Sequence, residues 1–305
     1  MAGTRTRRCR VAVQAWTELF APVVVPERTP TGCALSAGGG RLFLVWTGSD
    51  FRINLASSTD GQRFADKRTF AHRSSATQWR SAVGSSDGST SSTKTVALAP
   101  ALAGAAGGLH LSWTGTDGRV NLWRLAAGDA GHTVLHERSA VSPALGAWGD
   151  EVVLAWTGND ARLNLVHTDR GGLSPSLRLE ESSHHAPAVC GIGREIAVAW
   201  IGTDRHVNLV WSNGGQFGTP LRLPETSYMP PAICPVGTDV LVAWTGSDHH
   251  INVLRVGPHA TGQANRFEAR SRDAPALCNQ GSVVRLAWTG TDSRPNIASL
   301  RFRRA

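Results

Sequence analysis

The sequence holds a single tyrosine, two methionines and an odd five cysteines, and no run of apolar residues in it approaches the length of a membrane span. The last absence excludes a spanning helix, which needs about 20 consecutive apolar residues. The cysteines form no closely spaced pairs, so neither a disulfide framework nor a CxxC-type zinc site is indicated. Charged residues make up only 18% of the chain, which is low for long solvated helices or a disordered polyelectrolyte. A secretory signal is not legible: MAGTRTRRCR is basic, but the following VAVQAWTELFAPVVV is broken by Gln14, Thr17, Glu18 and Pro22 and lacks a small-residue cleavage site. A cytoplasmic monomer is the expectation. No nucleic-acid-binding motif occurs. Much of the net charge of +8 sits in the Arg-rich ends, residues 1–10 and 301–305, which read as solvated tails.

What the chain has in quantity is glycine, with 33, and tryptophan, with 11, arranged in a repeat. LFLVWTGSDFRINL, LHLSWTGTDGRVNL, VVLAWTGNDARLNL, IAVAWIGTDRHVNL, VLVAWTGSDHHINV and VRLAWTGTDSRPNI are six copies of one phrase. Their tryptophans, Trp46, Trp113, Trp156, Trp200, Trp244 and Trp288, recur at a period of about 44 residues, except for an insertion at 76–98 after the first copy. In the third unit four short runs, 143–147, 152–156, 163–167 and 177–180, alternate or are apolar and are bounded by turn residues. Four short strands, six times over, predict a single all-β domain: a six-bladed β-propeller of four-stranded blades. The last repeat stops after its third strand, whereas WTELFAPVVVPE precedes the first repeat and reads as a fourth strand. The N-terminal strand is therefore expected to complete the last blade and leave no open edge.

Ten residues before each tryptophan stand Ser36, Ala103, Gly146, Cys190, Cys234 and Cys278, all small, which predicts a tightly packed inner position and makes three cysteines core residues. Asp50, Asp117, Asp160, Asp204, Asp248 and Asp292 recur with Asn54, Asn121, Asn164, Asn208, Asn252 and Asn296. Both sets read as caps of a tight turn, with the Gly two residues after each Trp expected to supply positive φ. Two residues after each Asp lies a base: Arg52, Arg119, Arg162, His206, His250 and Arg294. Either these ring one mouth of the disc and attract anions, or each pairs with its neighbouring Asp.

A unique site must break six-fold symmetry, and the loops leading into each blade do so. Ala140, His184, Tyr228 and Arg272 share one position there, and Val141, His185, Met229 and Asp273 the next. The insertion adds Gln78, Trp79 and Arg80 on the same face, as a candidate wall or lid. Tyr228, His184, His185 and Asp273 are the candidates for specific hydrogen bonding or proton transfer. The six bases with Trp79, Arg80 and Arg272 are the candidates for ligand binding. No spacing points to a metal, and no cofactor motif occurs.

SSTDGQRF, at 57–64, resembles the Asp-box hairpin of sialidase-like propellers, with one spacer missing and Phe in place of Trp. HTDRGGLS and WSNGGQFG are weaker copies, and LAWTGTD followed by LN is similar to the repeats of bacterial propellers grouped with sialidases or fucose-binding lectins. A sialidase resemblance implies three arginines on a substrate carboxylate, an acidic proton donor and a Tyr/Glu nucleophile pair, for which Tyr228 and Glu225 are the available residues. A lectin resemblance implies several similar pockets between blades, using repeated Trp, Arg and acidic groups. The reading drawn from all this is a binder of a glycan or other polyhydroxylated, including anionic, small molecule on the loop-rich face. The alternatives are an enzyme of the cyclase, lyase or glycosidase kind with one axial pocket, and a protein-interaction scaffold.

Overall fold

Six antiparallel sheets stand around one axis in the structure, a computed structural model that describes residues 16–81, 92–126, 131–169, 172–213, 215–258 and 261–302. In blade 1 the strands run Cys33–Gly38, Arg41–Thr47, Arg52–Ser58 and Ala65–Arg73 from axis to rim. In blade 3 they are Ala144–Trp148, Glu151–Thr157, Arg162–Asp169 and Leu177–Ser182, within a few residues of the four runs read from the sequence. Blade 6 takes Ala276–Gln280, Val283–Thr289 and Pro295–Phe302 from the C-terminal end and its outer strand, Trp16–Val24, from the other. That strand pairs antiparallel with Pro295–Phe302, placing Leu19 opposite Leu300 and Val23 opposite Ile297. The insertion forms a separate two-stranded hairpin, Ala76–Ser81 with Ser92–Ala97, between blades 1 and 2.

The second strand of each blade is buried on both faces, which is why it reads as a nearly unbroken apolar run such as VVLAW rather than as an alternation. The repeat tryptophans are all buried, and each packs against the preceding blade. Trp200 lies on Val153, Leu163 and Leu165 of blade 3, and Trp156 on Val120 and Leu122 of blade 2. Trp46 closes the ring by packing on Ala287 and Ile297 of blade 6. The core is thus six layers, one per blade interface. A tryptophan lost from such a layer costs roughly 3–5 kcal/mol, and none of the six offers a face to a ligand.

At the axis the innermost strands approach backbone to backbone. A Cβ on Gly146 would meet Val189 O at 2.4 Å, one on Gly104 would meet Ala37 O at 2.5 Å, and one on Gly191 would meet Ala147 O at 2.4 Å. Gly146 stands at the inner position and Gly104 and Gly191 one residue beyond it, so close approach accounts for small residues at these places. Cys190, Cys234 and Cys278 are buried there as expected; burial pushes the Cys190 and Cys278 thiols up to about 12 and that of Cys234 well above its ordinary value.

Candidate functional site

The hairpins between second and third strands share a face with the connectors between blades, and two repeated devices build that face. In the hairpin, Asp160 Oδ1 accepts the Arg162 N–H at 3.1 Å and Asn164 Nδ2 donates to Arg162 O at 2.9 Å; the same two bonds recur in all six blades. Asp and Asn are turn caps, as the sequence indicates. The glycine has a different role from the expected one. A Cβ on Gly158 would lie 2.7 Å from Asp160 Oδ1, with similar clashes in every copy, so it makes room for the carboxylate. Positive φ falls instead on the residue after the Asp: Phe51, Ala161, Arg205, His249 and Ser293 at 62° to 68°, and Gly118 at 77°.

In the connectors, buried Ser183 accepts the His185 N–H at 2.9 Å and donates to His185 O, onto which Thr157 also donates at 2.7 Å. Ser139, Ser227 and Ser271 repeat the serine bonds. This invariant hydroxyl, one residue before the divergent pair, was available in the sequence as Ser139, Ser183, Ser227 and Ser271 but was masked by its variable neighbours. At the position of Thr157, blade 4 carries Ile201 instead.

The six bases do not line the axial channel, a cavity of about 160 Å³ walled by innermost-strand residues such as Ser36, Gly146, Cys234 and Asn279. Each is tied to its own blade. Arg52, Arg119 and Arg294 hold Nε 3.8–3.9 Å from Asp50, Asp117 and Asp292. In blades 3, 4 and 5 the Asp is engaged from the outer strand, where Arg178, Arg222 and Arg266 reach Asp160, Asp204 and Asp248 at 2.8–2.9 Å. Asp204 and Asp248 are held below their ordinary carboxylate range chiefly by these guanidinium hydrogen bonds. Arg162 is displaced onto Glu180, and His206 and His250 turn inward, their Nδ1–H groups donating to Leu223 O and Phe267 O at 2.9 Å. The three outer-strand arginines escape a reading that looks only inside the repeated phrase.

Among the described residues no hydrogen bond joins any two of Tyr228, His184, His185 and Asp273. The Tyr228 ring is 51% exposed, with Arg205 stacked 4.5 Å from its centroid and donating to its hydroxyl at 2.7 Å. Glu225 makes no bond to it, so the Tyr/Glu pair that a sialidase resemblance implies is not formed; Glu225 Oε2 is shielded and unpartnered. Burial, followed by the neighbouring His184, lowers the pKa of His185, favouring the neutral ring. Asp273 accepts from Thr31 Oγ1 at 3.1 Å and from Ala274 N–H at 2.7 Å, joining the last connector to the first, and burial raises its carboxyl. Arg272 reaches Ser293 Oγ at 2.9 Å. Trp79 and Arg80 occupy the inserted hairpin opposite Lys94 and Thr93; their side chains lie outside the described residues.

A second concavity lies elsewhere, at the rim between blades 3 and 4, where a cleft of about 460 Å³ opens. Leu177, Leu179, Phe217 and Pro220 line it with apolar surface, while Arg178, Glu180, Glu181 and Gln216 bring polar groups to it. It escapes sequence reading because two repeats contribute to it.

No protein-family model and no curated protein matches the chain. Solved structures do. The chain is similar to AofleA from Arthrobotrys oligospora, with a TM-score of 0.65 at 11% identity over 93% of this chain and 88% of that one. It is similar to a mutant of the Aleuria aurantia lectin in complex with α-methyl-L-fucoside, with a TM-score of 0.57 at 9% identity over 96% of each chain. The likeness is one of fold. A related structure of that lectin is described as a six-bladed β-propeller with a fucose recognition mode, and the present chain has the same architecture. It is also similar to BBS1N in complex with ARL6DN, with a TM-score of 0.54 at 15% identity over 96% and 99% of the two chains. One architecture therefore carries unrelated partners, and function must be argued from the site.

Proposed function

We propose that the protein binds a carbohydrate, and that the cleft between blades 3 and 4 is its principal site. The observation that carries this reading is the composition of the cleft. Its volume of about 460 Å³ lies within the range of small-molecule sites, roughly 300–1,000 Å³. Phe217 and Pro220 provide the flat apolar surface that the C–H face of a sugar ring packs on, and Arg178, Glu181 and Gln216 provide donors and acceptors for its hydroxyls. The fold is shared with fucose-binding lectins, which makes a propeller blade interface a reasonable place for a sugar. The axial channel, at about 160 Å³, is small for the same purpose.

Native mass spectrometry with L-fucose and other neutral monosaccharides tests this reading. One sugar per chain is expected at saturation, with Glu181→Gln and Gln216→Ala each weakening binding about tenfold at unchanged melting temperature. Saturation at several sugars per chain, unaffected by both variants, would move the function to repeated sites elsewhere. A second reading places the ligand on the loop-rich face, and the exposed Tyr228 ring with Arg205 stacked on it is the observation in its favour. Loss of binding in Tyr228→Ala, with the cleft variants normal, would select it.

A further inference from the structure

Arginine doublets mark three consecutive blades of the loop-rich face and are missing from the next two. Arg52 is in register with Arg73 across the third and outer strands of blade 1, and Arg119 with Arg138 in blade 2. In blade 6 the Thr29 N–H bonds Ser293 O as Ser74 N–H bonds Phe51 O and Ser139 N–H bonds Gly118 O, which puts Arg28 beside Arg294 in the same way. The equivalent place opposite Arg162 holds Ser182, and that opposite His206 holds Thr226. In blade 5 Arg270 stands opposite His250, but that ring is buried and bonded to Phe267 O.

Like charges directly opposite on neighbouring strands destabilise a sheet, and blades 3 and 4 show that the fold accepts Ser or Thr at this place. The acids nearby leave each doublet in excess. Asp50, Asp117 and Asp292 each meet one guanidinium at 3.8–3.9 Å, beyond hydrogen-bond length. Arg138 and Arg28 reach only the carbonyl oxygens of Asp117 and Asp292. Glu27 is taken by Lys67 at 2.7 Å, and Glu137 is the remaining acid on these outer-strand ends. Arg28, Arg52, Arg73, Arg138 and Arg294 are exposed, and Arg119 is half-buried. Two guanidinium forks side by side present the parallel N–H donors that sulfate and phosphate oxygens accept in pairs.

We infer that the arc of blades 6, 1 and 2 binds a polyanion through these doublets, and that the polyanion is a sulfated polysaccharide. The choice of a saccharide chain rests on the carbohydrate reading above; the anion seats rest on the doublets alone. The surface is separate from the cleft between blades 3 and 4, so the two can fail independently.

The test compares the full chain with Arg73→Ser/Arg138→Ser and with a control, Arg222→Ser/Arg266→Ser, that removes the same charge from blades 4 and 5. Binding of heparin, of its desulfated form and of a single-stranded oligonucleotide is measured by fluorescence anisotropy over a salt series. The basic ends are intact in every variant, so differences belong to the blades. Heparin is expected to bind the wild type, with an affinity that falls steeply with salt. The blade 1 and 2 variant should lose at least about tenfold and show a shallower salt slope, while the control loses less than about threefold. The melting temperature of the Arg73→Ser/Arg138→Ser variant should hold or rise, because like-charge pairs have been relieved. Equal losses in both variants, a fall in melting temperature, or undiminished binding to desulfated heparin would overturn the inference. Tighter binding of the oligonucleotide through the same arginines would overturn the choice of partner. Neutral-sugar titration of the same variants reads the cleft separately and is expected to be unchanged.

Discussion

At the scale of single residues, the turn of each blade separates two demands that are usually met by one glycine. Space for the Asp carboxylate falls on Gly158 and its equivalents, and left-handed backbone falls three residues later, on a glycine in blade 2 alone. A side chain in the left-handed region costs about 1–2 kcal/mol, partly offset because glycine loses more entropy on folding. Ala161→Gly is therefore expected to stabilise the protein by roughly 0.5–1 kcal/mol, and Gly118→Ala to destabilise it by a similar amount, both read from urea unfolding. A null or opposite result at Ala161 would mean that the turn is held by something other than its backbone. The sequence shows the Asp and Asn caps plainly because they recur without exception. It hides the left-handed position because Phe51, Ala161, Arg205, His249 and Ser293 share no chemistry, only a place.

At the scale of elements, the connectors are alike in their serine but not in their second anchor. Ile201 replaces the threonine that elsewhere donates to the connector, so Met229 O lacks the bond that Thr157 gives His185 O. A hydrogen bond of this kind is worth about 1 kcal/mol. The Met229 amide is expected to exchange with solvent about fivefold faster than the His185 amide, although both bond a serine Oγ at 2.9–3.0 Å. Equal protection would show that the anchor is immaterial. The hairpin after the third strand of blade 1 offers a pH test. Asp60 accepts from the Arg63 and Gln62 amides and the Ser58 hydroxyl, which lower its pKa to about 2. Because the folded value lies below the unfolded one, its contribution is present above about pH 4 and fades as pH falls toward 2. The gap in melting temperature between wild type and Asp60→Asn should narrow over that interval, and a constant gap would remove the carboxylate from the account.

At the scale of the whole molecule, ring closure depends on nine residues from the start of the chain, Trp16–Val24. Val25, just beyond them, is buried in the layer between blades 6 and 1, whereas Val24 is 50% exposed. Val25→Asp is expected to cost more than about 3 kcal/mol by leaving an unpaired buried charge, and Val24→Asp to fall within about 0.5 kcal/mol of wild type. Similar effects at both positions would contradict the closure described here. Blade number, strand order and closure were legible because six copies of one tryptophan phrase, five reading WTG and one WIG, and a truncated last repeat determine them. The cleft was not, because Arg178 and Phe217 belong to different repeats and meet only when blades stack. Asp273 was singled out for its divergence, and its bond to Thr31 links two connectors that are far apart in the chain.

The glycines at the axis carry a consequence for how freely the repeats could be exchanged. Gly104 serves the seam between blades 1 and 2, and Gly146 and Gly191 both serve the seam between blades 3 and 4, where the innermost strands touch through their backbones. Blades 5 and 6 carry Pro235 and Asn279 where blade 4 carries Gly191. A copy of either in the place of blade 4 would drive a side chain toward the Ala147 carbonyl. The repeats are alike in outline, yet each is fitted to its own neighbours.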